Sequence, residues 1–442
     1  MSTPVNMPEC LPLFPVTARI EQGHLFIGGM DTVSLRSSFG TPLYVFDEVT
    51  LRQQCRDFVS EFRKRYENTG VVYACKAFIN RALAGLLSEE GLGFDVVSGG
   101  ELSIITSAAV DPANVYFHGN NKSEQELTEA INRKVGTVVV DNFFEMELLQ
   151  SLAAKNGARQ KVLLRLTPGI DPHTHKFTTT GIVDSKFGFS LVEGKAEEAV
   201  KRACRSGNLN LEGLHFHLGS PIFETDPYGK AIDVALEFAA RMAGLYDFSL
   251  GELSVGGGFA VSYETSRPAP EIHRYADAIT GALKAGCRKW NLKEPRLVIE
   301  PGRAIVGRAG AALYTAGATK EIPGVRKYVS LDGGMGDNIR PALYGAKYQA
   351  LVANKALETP TEKVSLAGKF CESGDILIQN IMLPELEAGD ILAVPVAGAY
   401  CLSMSSNYNA CLKPAVVMVK DGKARLIRRR ESYEDLIRCD LV

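Results

Sequence analysis

The chemistry of this chain is carried by a few short clusters. Lys76 closes the run Val71-Val72-Tyr73-Ala74-Cys75. An amine flanked by Tyr73, Ala74 and Phe78 is partly shielded from water, and desolvation favours the neutral form that attacks a carbonyl. The plainer reading is a lysine snorkelling from the end of an element. His215-Phe216-His217 puts two imidazoles on one face of a strand, where they suit either one metal ion or a ring stacked on a flat group. Gly256-Gly257-Gly258 can cradle an anion such as phosphate with its backbone N–H groups, or can simply make a tight turn. Glu300, in Glu300-Pro301-Gly302-Arg303, can hold a protonated heterocyclic nitrogen by favouring the charged ring, or can pair with Arg303. Cys371, in Cys371-Glu372-Ser373-Gly374-Asp375, can give a proton, or can be a small buried thiol. Arg340 and Tyr344 can grip a carboxylate, the arginine bidentately.

These residues are useful only if something gathers them. Apolar runs of β type fall at 71–74, 94–97, 115–118, 138–141, 162–166, 211–218, 253–255 and 297–300, with helical patterns between most of them. Ser123-Glu124-Gln125-Glu126 reads as a capping box, and Asp226-Pro227 as an N-cap followed by a proline in the first turn. Eight such alternations predict a (β/α)8 barrel, with an open doubly wound sheet as the alternative. In a barrel the active site lies at the C-terminal ends of the strands, where Lys76, Asp95, His217, Gly256 to Gly258 and Glu300 all fall. After residue 305 strand-like runs follow without long helices, predicting an all-β sandwich or open barrel over 306–442. Residues 1–45 also read as extended and are expected to pack with that β domain. The barrel is then residues 46–305.

Composition sets the outer bounds. The chain has 442 residues, 45% of them hydrophobic, and a net charge of -2. That balance argues against a nucleic-acid protein held by a positive field. The basic run 425–430 reads as a solvated strand end. No stretch has the ~18 consecutive apolar residues of a membrane span. The start Met1-Ser2-Thr3-Pro4 shows no secretory signal. The cysteine count of 9 is odd and contains no Cys-x-x-Cys pair, which disfavours a disulfide framework or a cysteine-rich zinc site. The expectation is a reduced, cytoplasmic protein without membrane or nucleic-acid partners and without a metal.

Taken in order, the motifs resemble the fold-type III pyridoxal phosphate-dependent decarboxylases, and within them the branch acting on diaminopimelate. The resemblance runs from about residue 43 to residue 409. It rests on Tyr73 to Ala77, Gly93 to Glu101, Ser185-Lys186-Phe187-Gly188, His215 to Ser220, Gly256 to Gly258, Glu300 to Arg303, Cys371 to Asp375 and Gly398-Ala399-Tyr400. It implies that Lys76 holds pyridoxal 5'-phosphate covalently, that His217 stacks on its ring, and that Glu300 pairs with its nitrogen. It implies that Asp95 lies near the Lys76 end, that Ser220, the three glycines and the Tyr400 hydroxyl hold the phosphate, and that Gly302 and Arg303 also bind the cofactor. Cys371 then protonates the carbanion from the partner subunit of a homodimer whose sites form at the interface. Arg303, Arg340, Tyr344, Glu372 and Tyr400 would hold the distal end of the substrate. The implied reaction is decarboxylation of meso-2,6-diaminopimelate to L-lysine. The alternative is a same-fold decarboxylase for ornithine, arginine or a carrier-bound aminoacyl group. Cys75 and Pro221 depart from residues frequent in the family.

Overall fold

The structure is a computed structural model that describes residues 7–171, 180–181 and 184–441. The Met1-Ser2-Thr3-Pro4 start lies outside the described residues. The chain divides into two compact units, one of residues 54–260 and 269–302, the other of residues 1–53, 261–268 and 303–442. No described helix is long and apolar enough to cross a membrane.

The first unit is a closed parallel barrel. Its strands are β1 (Thr69–Ala74), β2 (Gly93–Val96), β3 (Val115–Phe117), β4 (Thr137–Val140), β5 (Gln160–Thr167), β6 (Leu209–His215), β7 (Glu252–Ser254) and β8 (Arg296–Ile299). Each pairs with the next, and β8 pairs back to β1 through Leu297, Val298 and Ile299. All eight expected strands are present, and the open sheet is excluded by that last ladder. One further pair, Phe189–Ser190, runs parallel to the end of β5 at Leu166 and Thr167.

The strands are rich in valine, isoleucine and leucine because both faces are covered. Val72, Tyr116, Val139, Leu163 and Val298, from five strands, form one buried cluster. Residues two apart on a strand share a face. Two positions beyond four of these apolar residues stand His118, Asp141, Arg165 and Glu300. The polar layer therefore sits directly above an apolar floor.

Helices link the strands, and their starts are set by side-chain caps. Asn80, Ser98, Ser123 and Asn142 each accept a hydrogen bond from the third helical amide, satisfying an otherwise orphaned donor. Ser123 and Glu126 form the expected capping box. The helix Asp226–Leu245 starts one residue earlier than expected. Thr225 is its cap, already in a helical conformation and without a side-chain cap bond, so Asp226 is the first helical residue.

The second unit is built on a sheet in the order Ile376–Leu383, Glu362–Ala367, Arg326–Leu331, Gly310–Ile322, Leu43–Asp47, Ala415–Lys420 and Lys423–Arg428. Leu43–Asp47 lies between Gly310–Ile322 and Ala415–Lys420, antiparallel to the first and parallel to the second. The strands at Arg19–Glu21, His24–Ile27 and Met30–Asp31 form a small sheet of their own. They meet the β domain through single bonds instead of a ladder, such as Leu25 N–H to Ala353 O at 2.8 Å and Gly422 N–H to Gly28 O at 2.9 Å. The strand Ile376–Leu383 was not legible in the pattern, because Gln379-Asn380 interrupts its apolar alternation and Asn380 takes a positive φ of 55°.

Candidate active site

The barrel mouth holds a connected set of polar groups, all buried but Lys76, which is exposed. Lys76 sits in a single turn, Cys75–Ala77, that ends β1. Its Nζ lies 3.6 Å from Asp95 Oδ2 at the end of β2. Asp95 Oδ1 is 3.8 Å from His118 Nε2, and the same nitrogen is 3.5 Å from Glu300 Oε1. His215 Nε2 is 3.2 Å from Glu300 Oε2, and the Ser254 hydroxyl donates to Glu300 Oε1 at 2.7 Å. Amine, carboxylate, imidazole and carboxylate thus follow one another across the mouth.

The electrostatics separate the two acids. Burial pushes Asp95 up to about 7; Lys76 opposes the shift, and Glu300 and Glu101 add to it. Burial also acts to raise Glu300, but the His215 and His118 imidazoles and the Ser254 hydroxyl reverse this and hold it well below the usual carboxylate range. Burial lowers His118 and His215, while the Glu300 charge pulls both the other way. His217 is lowered by burial, then by the positive charges of Lys76 and Arg165. Two carboxylates in one cleft are therefore tuned apart, Asp95 poised to exchange a proton near neutrality and Glu300 fixed as an anion.

The imidazoles divide the work differently from a metal pair. His215 turns to Glu300, with the His118 ring beside it at 4.9 Å between centroids. His217 instead accepts the Gly257 N–H at its Nδ1, at 3.1 Å. β6 ends at His215, so His217 lies beyond the strand and takes a separate partner.

The glycine run is partly committed. Gly256 gives its N–H to Ser254 Oγ at 3.4 Å and Gly257 gives its own to His217. Gly258 is the amide of the three not spent in this way among the described residues. Close packing explains the residue type: a Cβ on Gly258 would lie 2.5 Å from Gly219 O, and one on Gly257 would lie 2.3 Å from Glu300 O. Ser220 is half-buried at the end of the segment that follows β6.

Sequence reasoning missed His118, Arg165 and Ser254 as members of the cluster. Arg165 is buried, 3.8 Å from Asp141 Oδ1, with its guanidinium 4.4 Å from the Phe187 ring centre. A charged residue inside Val162-Leu163-Leu164-Arg165-Leu166 was the available signal, because a buried charge needs a partner.

The second unit carries the other expected groups. Arg303 donates to the Tyr263 hydroxyl at 2.8 Å and lies 4.7 Å from the Tyr400 ring centre. Arg340 is buried, donates to the Tyr348 hydroxyl, and lies 4.8 Å from the Tyr263 ring centre. Tyr400 holds a left-handed φ of 63°, a strained state for a bulky residue that is common at functional positions. Tyr344 is half-buried at the end of the turn Arg340–Tyr344. Cys371 and Glu372 are both exposed, so the buried-thiol reading of Cys371 does not hold. The Cys371 N–H is held by Asn409 Oδ1 at 2.9 Å.

The chain is similar to known proteins along nearly its whole length. Residues 50–307 match the pyridoxal binding domain of the pyridoxal-dependent decarboxylases. The chain is 45% identical over 421 residues to a diaminopimelate decarboxylase of Bacillus subtilis, covering 95% of this chain and 96% of that one. It is 43% identical to the diaminopimelate decarboxylase of Synechocystis, covering 100% and 95%. The crystal structure of diaminopimelate decarboxylase from M. jannaschii in complex with L-lysine superimposes with a TM-score of 0.90 at 34% identity, covering 97% of this chain and 98% of that chain.

Proposed function

From the premise that this chain belongs to the pyridoxal-dependent decarboxylases, and within them to the diaminopimelate decarboxylases, we propose that it decarboxylates meso-2,6-diaminopimelate at its D centre and releases L-lysine and carbon dioxide. The observation that carries the reading is the line Lys76–Asp95–His118–Glu300, which puts a reactive amine and a fixed carboxylate at one barrel mouth.

The residues fit pyridoxal 5'-phosphate. Both Asp95 oxygens and His118 Nε2 are buried without a hydrogen-bond partner, so each can still take one from a ligand. Glu300, held anionic, suits a protonated ring nitrogen. Gly258 has an amide to offer a phosphate; Ser220, Gly302, Arg303 and the Tyr400 hydroxyl are proposed to join it, with Gly256 and Gly257 shaping the loop from behind. When bound, the coenzyme takes up the electron pair left as the carboxylate departs.

The chain does the rest. The Lys76 amine would hold the coenzyme and yield its place to the substrate amine. Asp95 accepts or returns a proton at Lys76 Nζ. His217 supplies a flat face against the ring. Arg303 and Arg340, with Tyr344 and Tyr400, hold the distal carboxylate, and Glu372 the distal amine, so that one end of the substrate reacts. Cys371 Sγ gives a proton to the α-carbon. Its exposure, and that of Glu372, fit a role in the neighbouring site of a homodimer. We place the reaction in the cytoplasm.

Ornithine and arginine would leave the Arg303 and Arg340 guanidiniums facing no distal carboxylate, which disfavours them. The test is carbon dioxide release from meso-diaminopimelate, ornithine, arginine and L-lysine, with and without added coenzyme. Turnover of diaminopimelate alone is expected; turnover of another substrate in its place would end the assignment. Lys76→Ala is expected to lose the visible absorbance of the bound coenzyme.

A further inference from the structure

The second unit contains an arginine pair held in an unusual way. Arg303 and Arg340 are 7% and 6% exposed. A buried guanidinium is ordinarily fixed by a carboxylate, which also cancels its charge. Among the described residues the partners of the Arg340 guanidinium are Tyr348 and Tyr263, and none is a carboxylate. Tyrosines take that place. The Tyr263 ring centre lies 4.8 Å from Arg340 Cζ and 5.9 Å from Arg303 Cζ, so one ring serves both cations. The Tyr263 hydroxyl accepts from Arg303 Nη1 at 2.8 Å. The Tyr348 hydroxyl accepts from Arg340 Nη1, and the Tyr348 ring stands edge-on to Tyr263 at 5.4 Å between centroids.

The physical consequence follows from what a tyrosine can and cannot do. Its ring face attracts a guanidinium and its hydroxyl accepts one N–H. Neither neutralises the charge. The geometry fixes the Arg340 guanidinium in position with its charge available to an incoming anion. Tyr263 comes from the segment 261–268, which leaves the barrel to join this unit. Its place here is a consequence of the fold and not of its neighbours in sequence.

We propose that Tyr263, supported by Tyr348, is a positioning residue that sets the spacing of Arg303 and Arg340 and so determines recognition of the substrate's distal carboxylate. The inference rests on the reading of those arginines as the carboxylate grip. Tyr263 touches neither reacting atom, and its effect is on binding through the two guanidiniums.

The test uses the holoenzyme and two ligands that differ by one carboxylate, L-lysine and cadaverine. Dissociation constants are measured by titration for wild type, Tyr263→Leu, Tyr263→Phe, Tyr348→Phe and Arg340→Ala. Tyr263→Leu is expected to weaken L-lysine about tenfold, or about 1.4 kcal/mol, while cadaverine changes less than about twofold. Tyr263→Phe keeps the ring and loses only the bond to Arg303, so a loss of about threefold for L-lysine is expected. Tyr348→Phe is expected to behave likewise through Arg340. KM for diaminopimelate is expected to rise in step, with kcat changed less. If Tyr263→Leu does not fold, the two phenylalanine variants decide the matter. Equal loss for both ligands, or no loss for either, overturns the proposal. If Arg340→Ala itself leaves L-lysine unaffected, the carboxylate grip fails and this inference falls with it. If Arg340→Ala weakens L-lysine and the tyrosine variants do not, only the inference fails.

Discussion

Lys76 Nζ stands 3.6 Å from Asp95 Oδ2, an amine side chain 41% exposed facing a carboxylate side chain that is 1% exposed. The carboxylate is the costly partner. Its ordinary value is 3.8, and burial, against the pull of Lys76, brings it to about 7 in the fold. Between those values the folded protein holds a proton that the unfolded chain has released. Stability attributable to Asp95 therefore falls as pH rises from about 4 to about 7.

Asp95→Asn removes that loss. The variant's stability relative to wild type is expected to grow between pH 5 and pH 8, by on the order of 2 kcal/mol. Turnover is expected to fall about tenfold or more, because the proton exchange at Lys76 is gone. Denaturant titrations at the two pH values, with a parallel assay, check both parts. A stability difference that is flat with pH would contradict the assignment.

Glu300 behaves with the opposite sign. Its folded value lies well below the ordinary 4.5, so the stability it contributes is present above that value and is lost only as pH falls through the lower one. Glu300→Gln should therefore cost the same at pH 6 and pH 9. Activity is expected to drop by about 10² or more at both. A penalty that disappears at the higher pH would show that the carboxylate is not the form that matters.

Lys122 and Glu145 form a buried pair at 2.7 Å, with Lys122 Nζ also donating to Val139 O at 2.8 Å and Gly119 O at 2.9 Å. Removing one partner leaves the other charge unpaired. Lys122→Met is expected to cost about 3–5 kcal/mol, and Lys122→Met with Glu145→Leu to recover most of it. Chemical denaturation of the single and double variants measures the difference. Equal destabilisation by both would show that packing, and not charge, dominates there.

Cys371 offers a test of the shared site. Lys76→Ala and Cys371→Ala are each expected to be inactive alone. If two-fold related subunits exchange these residues, mixing and refolding the variants regenerates one intact site in half of the dimers, or ~25% of wild-type activity. Activity that stays at the level of the separate variants would mean that each chain supplies its own cysteine.

The barrel was legible in the sequence because a strand buried on both faces must be apolar along its length, and eight such runs alternate with helical patterns. Lys76, Asp95 and Glu300 stood out because they interrupt or end those runs. The same logic was available for His118 and Arg165, each two residues beyond a floor residue, Tyr116 and Leu163. They were missed because strand number alone does not say which ends face one another. Tertiary structure decided that His215 and His217 take different partners, that Gly256 and Gly257 direct their amides inward, and that the segment 261–268 carries Tyr263 to Arg303 and Arg340. Periodicity records which face of an element is buried; it carries no information about what, from a distant part of the chain, is buried against it.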